Sequence, residues 1–325
     1  MQQNPENTQA ERISIVIPVY RGERTLGPLL SEIAPLTAMH LQGSVAFRVT
    51  EVILVHDAGP DRSDRVMEEL ARQYPFVRTL WLSRNFGQHA ATLAGMASTT
   101  GDWVVTMDED LQQRPEDIPA MLKVALETDA QLVYAHPLNA PPHGWVRNVL
   151  SHIAKWITIH ILGNRMIGQF NSFRMIDGEI ARGLSAYCST GVFLDIALSW
   201  VVQRVARCPV TLREEKRSSG YSARRLLSHF WRLIMTSGTR PLRLIALMGL
   251  FAMLVAVLLA VFALWMKIRQ EVPVQGWASL IIISCFFFGS ILLALGVIAE
   301  YLALALNIAM GRPLYLSVSR APKQP

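Results

Sequence analysis

Two stretches of this chain carry no charged residue over lengths that few folds can absorb. They are Leu244–Met266 and Trp277–Ala299. About 20 consecutive apolar residues are enough to cross the hydrocarbon core of a bilayer as a helix. A buried helix in a water-soluble protein is rarely apolar on every side over such a length. The intervening "KIRQEVPVQG" is too short to be a domain, so the two stretches predict a transmembrane hairpin with both flanks on one side. The leading flank holds Arg224, Arg225, Arg232, Arg240 and Arg243, and the trailing flank Arg312, Arg320 and Lys323. The loop offers only Lys267 and Arg269. The positive-inside bias then puts both termini in the cytoplasm. Glu300 and Asn307 are expected where the second span meets water or a partner. Gly289, Ser290, Ala294 and Gly296 would let that helix pack closely against another, which points to a homo-oligomer.

The remainder reads as an ordinary soluble mixture. A chain of 325 residues has room for about two units. The formal net charge is +6 and the pI near 9.5, but the excess belongs to the membrane flanks, so no nucleic-acid partner is expected. Cys188, Cys208 and Cys285 show neither metal-type spacing nor a disulfide framework. The polar start "MQQNPENTQAER" has no apolar core of a secretory signal.

Up to Pro137 the pattern alternates. The runs "ISIVIPVY" (13–20), "EVILVHD" (51–57), "VRTLWLS" (77–83), "DWVVTMD" (102–108) and "AQLVYAHP" (130–137) read as buried strands, with helical segments between them. Such alternation predicts an α/β fold, Rossmann-like, with a mainly parallel sheet covered on both faces. Ligands in these sheets sit beyond the carboxyl ends of the strands. Tyr20, Asp57, Arg84, Asn85, Asp108 and Asp110 all fall there. After the break "NAPPHG" the pattern changes. "WVRNVLSHIAKWITIHILG" (145–163) and "YSARRLLSHFWRLIMTSGTRPLRL" (221–244) are apolar runs interrupted by cations, readable as interfacial amphipathic helices or as helices packed on the domain. The expected organisation is an α/β core over 1–140, an interfacial and juxtamembrane region over 141–240, the hairpin over 241–310 and a cytoplasmic tail over 311–325.

"VVTMDEDLQQRPEDIP" crowds Asp108, Glu109 and Asp110 at a strand end. If the chain stays extended, alternation puts Asp108, Asp110 and Gln112 on one face and turns Glu109 away. Two carboxylates and an amide oxygen suit a hard divalent cation, Mg²⁺ or Mn²⁺. A D-x-D pair alone is weak support. Its place beside other polar strand ends strengthens it.

Four segments, "SIVIPVYRGERTL", "VHDAGPDRS", "SRNFGQHAATLAGM" and "TMDEDLQQRPEDIP", together resemble the family 2 glycosyltransferases. The resemblance is to the polyprenyl-phosphate branch, which includes dolichol-phosphate mannose synthases, undecaprenyl-phosphate glucosyltransferases and undecaprenyl-phosphate 4-deoxy-4-formamido-L-arabinose transferases. It covers nearly the whole chain. It implies a GT-A fold, a nucleotide-sugar donor (UDP-linked favoured), undecaprenyl phosphate as acceptor, membrane lipids as surroundings, a tetramer, and a place in the bacterial inner membrane serving cell-envelope or lipopolysaccharide glycans. Carried over onto this chain, it puts Pro18 and Tyr20 at the donor-site turn, Asp57 at the base, and Arg84 and Asn85 along the donor site. It makes Asp108, Asp110 and Gln112 the metal ligands. "FNSFRM" (170–175) resembles the segment that brings an arginine, here Arg174, to the phosphates. "KRSSGYS" (216–222) is similar to a shortened acceptor loop, with Arg217 and Tyr221 at the lipid phosphate.

The chain departs from the pattern at "HDAG", where His56 replaces an acid or amide, and at Glu109, where a small residue is usual. His56 is open to two readings, a contact to the base or a filler at a strand tip. The implied reaction is electrostatic. A lipid phosphate is already anionic and needs no strong general base, so Asp110, Arg174 and Arg217 would carry catalysis by stabilising phosphates, and a single in-line displacement would invert the anomeric centre. A processive synthase is disfavoured by the lack of Q-x-x-R-W, and a dinucleotide oxidoreductase by the lack of G-x-G-x-x-G after the first strand. A non-catalytic nucleotide-sugar binding or scaffold protein is the remaining alternative.

Overall fold

The computed structural model describes residues 10–42, 45–139, 170–188, 193–213 and 276–322, with scattered positions between 245 and 269. The expected interfacial segments 145–163 and 221–244 lie outside the described residues, as do Arg217 and Tyr221. The described residues form two units.

The first unit is built on a nine-stranded mixed sheet. The apolar run of β1 (Glu11–Val19) lies at its centre, with Ile13, Ile15, Val16, Ile17 and Val19 fully buried. Residues of both parities are inside because helices cover both faces. On one side β1 pairs in parallel with β3 (Val45–His56), which pairs in parallel with β4 (Val77–Leu82). On the other it pairs in parallel with β5 (Trp103–Thr106). A short β2 (His40–Gln42) runs antiparallel beside β3. The helices α1 (Leu26–Ile33), α2 (Ser63–Gln73), α3 (Gln88–Ala97) and α4 (Ile118–Glu127) are the crossovers. The α3 helix packs very close to the sheet: a Cβ on Gly95 would lie 2.3 Å from Val16 Cγ1.

The fifth predicted strand, β6 (Leu132–Pro137), does not join β5. An antiparallel strand, β7 (Arg174–Asp177), is inserted between them and pairs with both. The sheet is therefore mixed where alternation alone predicted it mainly parallel. The insertion matters for the site because its register puts Arg174 opposite Thr106, the last residue of β5. Asp177 then caps α5 (Gly178–Tyr187), accepting from the N–H groups of Glu179 and Ile180. α6 (Leu194–Val201) and β8 (Val205–Val210), parallel to β6, complete that edge.

At the start of β1 a buried polar network ties three elements together. Glu51 accepts from Ser14 Oγ (2.7 Å), Arg78 Nη1 (2.6 Å), Thr100 N (2.6 Å) and Thr100 Oγ1 (2.9 Å). Burial pushes the Glu51 carboxyl up, but these donors outweigh it and hold it below its ordinary value. A depressed folded pKa adds stability above the unfolded value that is lost as pH falls through the folded one. Glu51→Ala is expected to destabilise by about 3 kcal/mol at neutral pH, because it strands these donors. The deficit should shrink below about pH 4 as the wild-type carboxylate is itself protonated. Thermal unfolding of the two proteins across pH 3–7 checks both statements.

The second unit holds α7 (Trp277–Ala309), a helix of 33 residues. Its stretch Phe286–Ala309 has a mean hydropathy of 2.2 and almost no buried residue, and among the described residues it is the one helix long and apolar enough to cross a membrane. The other predicted span, Leu244–Met266, is described only at scattered positions. Glu300 and Asn307 lie within α7, which runs on to Ala309. The helix stops at a left-handed glycine: Gly311 has φ 64°, its N–H reaches Ile308 O (3.0 Å), and Arg312 N reaches Asn307 O (3.1 Å). This is a Schellman ending, followed at once by Pro313. The residues expected as a free tail then return to the first unit. β9 (Ser317–Val318) adds antiparallel to β4, and Leu314 and Tyr315 pack on the core.

Candidate active site

The carboxyl ends of β1, β3, β4 and β5 meet in a cavity of about 350 Å³. Pro18 and Tyr20 come from the end of β1, Asp57 from the end of β3, Asn85 from the loop after β4 and Gln88 from the start of α3. The turn after β5 contributes Asp108, Glu109 and Asp110. A second cavity of about 130 Å³ shares Pro18, Gln88 and Asp108 with the first and adds His89, Ser172 and Arg174. Asp108 thus stands on the wall of both.

The ends of β1 and β3 are locked together. Asp57 N donates to Val19 O (2.8 Å). Gly59 lies so near that an added Cβ would be 1.7 Å from Tyr20 O. Both contacts are backbone, so neither neighbour can swing aside. Gly59→Ala is therefore expected to force the two strand ends apart, destabilising by about 2 kcal/mol and weakening donor binding; unfolding and nucleotide titration measure the two effects.

Asp57 is buried and its carboxylate accepts from Phe86 N (2.7 Å) and Gly87 N (2.9 Å). Burial raises its pKa, against those two N–H groups and the charge of Arg84. It therefore fastens the 86–87 turn as well as facing the cavity. Arg84 stacks its guanidinium over Phe86 at 4.3 Å and is not on the cavity wall, whereas Asn85 is. His56 is buried edge-on to Trp81, ring centroids 5.4 Å apart, with no hydrogen-bond partner on either nitrogen among the described residues, and burial lowers its pKa. It is absent from both cavity walls, which favours the filler reading over a contact to a base.

The carboxylate turn differs from the expected extended strand. β5 ends at Thr106, residues 109–111 turn, and Leu111 takes φ 66°. Strand alternation therefore stops before it reaches Gln112. Gln112 is on neither cavity wall; its N–H donates to Asp110 Oδ1 (3.1 Å) and its carbonyl accepts from Arg213 N (2.9 Å). The amide that meets Asp108 is Gln113, which donates to Oδ2 (2.9 Å) and accepts from Asp108 N (2.8 Å). Asp108 also accepts from Gln88 Nε2 (2.5 Å) and Ser172 Oγ (2.5 Å). Glu109, expected to point away, lines the cavity with its neighbours.

Burial raises Asp108, and the adjacent Asp110 raises it further, against its Ser172, Arg174 and Gln113 partners. Burial pushes Glu109 up to about 7, with Asp61 and Asp110 adding to the shift. Among the described residues no three His, Cys, Asp or Glu side chains converge as a closed metal cage. Two hard carboxylates in an open cavity fit a Mg²⁺ or Mn²⁺ ion that completes its shell from a ligand's phosphates.

Arg174 reaches the smaller cavity, but its charge is matched. It is paired with Asp195, donates from Nε to Thr106 Oγ1 (3.0 Å), and shares Asp195 with the Tyr134 hydroxyl (2.9 Å). Sequence reasoning did not single out Asp195, Gln113, Ser172 or Gln88. The last two lie inside the quoted "FNSFRM" and "RNFGQHAA" runs; Gln113 was hidden in a Gln–Gln pair; Asp195 carries no local signal.

The glycosyl transferase family 2 model matches residues 14–182, which contain every strand end that builds the cavity; of the sheet, only the first residues of β1 and the edge strands β8 and β9 fall outside it. The chain belongs to glycosyl transferase family 2. It is a glycosyltransferase. It is 30% identical over 319 residues to an undecaprenyl-phosphate 4-deoxy-4-formamido-L-arabinose transferase of Serratia proteamaculans, covering 97% of this chain and 95% of that one. A Pseudomonas aeruginosa protein of the same name is 30% identical over 309 residues, covering 93% and 88%. Among solved structures, mannosyl-3-phosphoglycerate synthase from Rubrobacter xylanophilus superposes with a TM-score of 0.51 at 16% identity, over 71% of this chain and 74% of that one. At that identity the match speaks for the GT-A fold alone.

Proposed function

We propose that this glycosyltransferase moves a sugar from a nucleotide donor, UDP-linked in our reading, to undecaprenyl phosphate at the cytoplasmic face of a bacterial membrane, with inversion. The observation that carries the reading is the meeting of Tyr20, Asp57, Asn85, Asp108 and Asp110 in one cavity, in a chain that also holds the apolar helix α7. The naming of its near-full-length relatives supports the acceptor class.

Tyr20, Asp57 and Asn85 would hold the nucleoside, and Asp108 with Asp110 would hold a Mg²⁺ or Mn²⁺ ion facing the diphosphate. Bound there, the ion would neutralise charge on the departing nucleoside diphosphate. Gln88, Gln113 and Ser172 keep Asp108 oriented. Arg174 supplies N–H groups at the smaller cavity, steadied by Asp195, rather than a free cation. Arg217 and Tyr221 are proposed for the acceptor phosphate. That phosphate is anionic at neutral pH, so the site needs orientation and charge stabilisation more than a proton acceptor.

Chain connectivity supports a hairpin. The chain leaves the sheet after β8, which ends at Val210, and returns to it at Ser317, shortly after α7 ends at Ala309. Such a chain crosses a bilayer an even number of times. If α7 spans, a second crossing must precede it, and Leu244–Met266 is the uncharged stretch available. Both termini would then be cytoplasmic, with membrane lipids around the hairpin and self-association through its small residues.

A panel of UDP- and GDP-sugars offered to purified protein with undecaprenyl phosphate and Mn²⁺ tests the proposal. One donor should give a sugar-labelled lipid. No labelled lipid from any donor, with nucleotide still bound, would favour the scaffold alternative.

A further inference from the structure

Glu109 stands between Asp108 and Asp110 on the wall of the larger cavity, and its surroundings give it a task. At the end of β1 the chain turns out of the sheet, and the N–H groups of Tyr20 and Arg21 lose their strand partners. Glu109 takes both. Tyr20 N lies 3.2 Å from Oε1 and 3.1 Å from Oε2, and Arg21 N lies 2.8 Å from Oε1. The fit is close: a Cβ on Gly22 would come within 2.7 Å of Glu109 Oε2. Gly22 O in turn accepts from Thr25 N (3.1 Å) and Leu26 N (3.0 Å), so the clamped turn runs directly into α1. Arg21 lies over the Tyr20 ring at 5.6 Å, and Tyr20 lines the larger cavity.

We propose that Glu109 is a positioning residue that fastens the Tyr20–Gly22 turn to the carboxylate turn, so that the nucleoside wall of the donor cavity and the Asp108–Asp110 pair move as one piece. It acts through Tyr20, as an acceptor of backbone N–H groups, and not as a third metal ligand. The inference rests on the donor-site reading above and deepens it. A small residue at 109 leaves two amides without their side-chain acceptor and Tyr20 without a fixed place.

Glu109→Ala and Glu109→Gln separate the possibilities. Glutamine keeps an acceptor oxygen but has no charge. The Ala variant should raise the donor KM by about tenfold with kcat within about threefold of wild type. The Gln variant should stay close to wild type in both constants. The concentration of Mn²⁺ for half-maximal activity should be unchanged in each. Hydrogen exchange at the amides of Tyr20 and Arg21 should quicken in the Ala variant and not in the Gln variant. Equal damage from Ala and Gln, a shifted Mn²⁺ requirement, or unaltered exchange in the Ala variant would each overturn the proposal. Exchange needs no turnover, so it decides the matter even if no donor proves active; an inactive wild-type protein would count against the transferase reading alone.

Discussion

Asp110→Ala should lower sugar transfer by about a thousandfold or more, the loss expected when a charge-stabilising group is removed from phosphate chemistry, while the protein folds normally. Asp110 is on the wall of the larger cavity, and its side chain accepts from Gln112 N within its own turn. Its negative charge also raises the pKa of Asp108, so its removal relieves repulsion in the absence of a cation. Stability is therefore expected to hold or rise slightly, and a thermal unfolding midpoint at or above that of wild type, together with lost turnover, is the paired result to look for. Gln112→Ala is the informative contrast. A D-x-D-x-Q ligand set requires it to be as damaging as Asp110→Ala. The turn at Leu111 removes Gln112 from the cavity walls, so that variant should keep most of its activity. Initial rates over a Mn²⁺ series distinguish the two.

The second large effect is on stability. Asp195→Ala should destabilise the α/β unit by about 4 kcal/mol, because breaking a buried pair leaves an uncompensated charge. Arg174 is almost wholly buried, and Asp195 is both its counter-ion and the acceptor for the Tyr134 hydroxyl. The double variant Arg174→Met with Asp195→Leu should recover much of the stability, since apolar replacement of a whole buried pair is often tolerated. Its activity should nonetheless stay low, because the N–H groups that Arg174 presents to the smaller cavity are gone. Recovery of activity together with stability would reduce Arg174 to a structural part. Denaturant unfolding and initial rates on the single and double variants separate these roles.

These outcomes also mark how far the residues could be read unaided. β1, β3, β4 and β5 each hold a short apolar run near their carboxyl end, followed by polar residues, and in parallel strands those ends must lie on one side. Tyr20, Asp57, Asn85 and Asp108 could therefore be grouped without coordinates. β7 could not be found, because "RMID" is four residues with no period of its own and becomes a strand only by pairing with β5 and β6. Its absence from the reading hid Asp195, whose role depends on Arg174 lying opposite Thr106. Alternation misplaced Gln112 and Glu109 for a local reason. A left-handed residue is not expected at a bulky non-glycine side chain such as Leu111, and it ends the two-residue period just where the site begins. The long uncharged run of α7 was evident, and Gly311 in the left-handed region supplies its stop.

The central claim is that the cavity at the strand ends delivers a sugar to a lipid phosphate. The most direct test is to follow nucleoside diphosphate release and labelled glycolipid together, with the active donor, in the presence and absence of undecaprenyl phosphate. The account predicts that release depends on the lipid and that each nucleoside diphosphate freed is matched by one lipid-linked sugar. Release indifferent to the lipid, with the sugar recovered free in water, would contradict it.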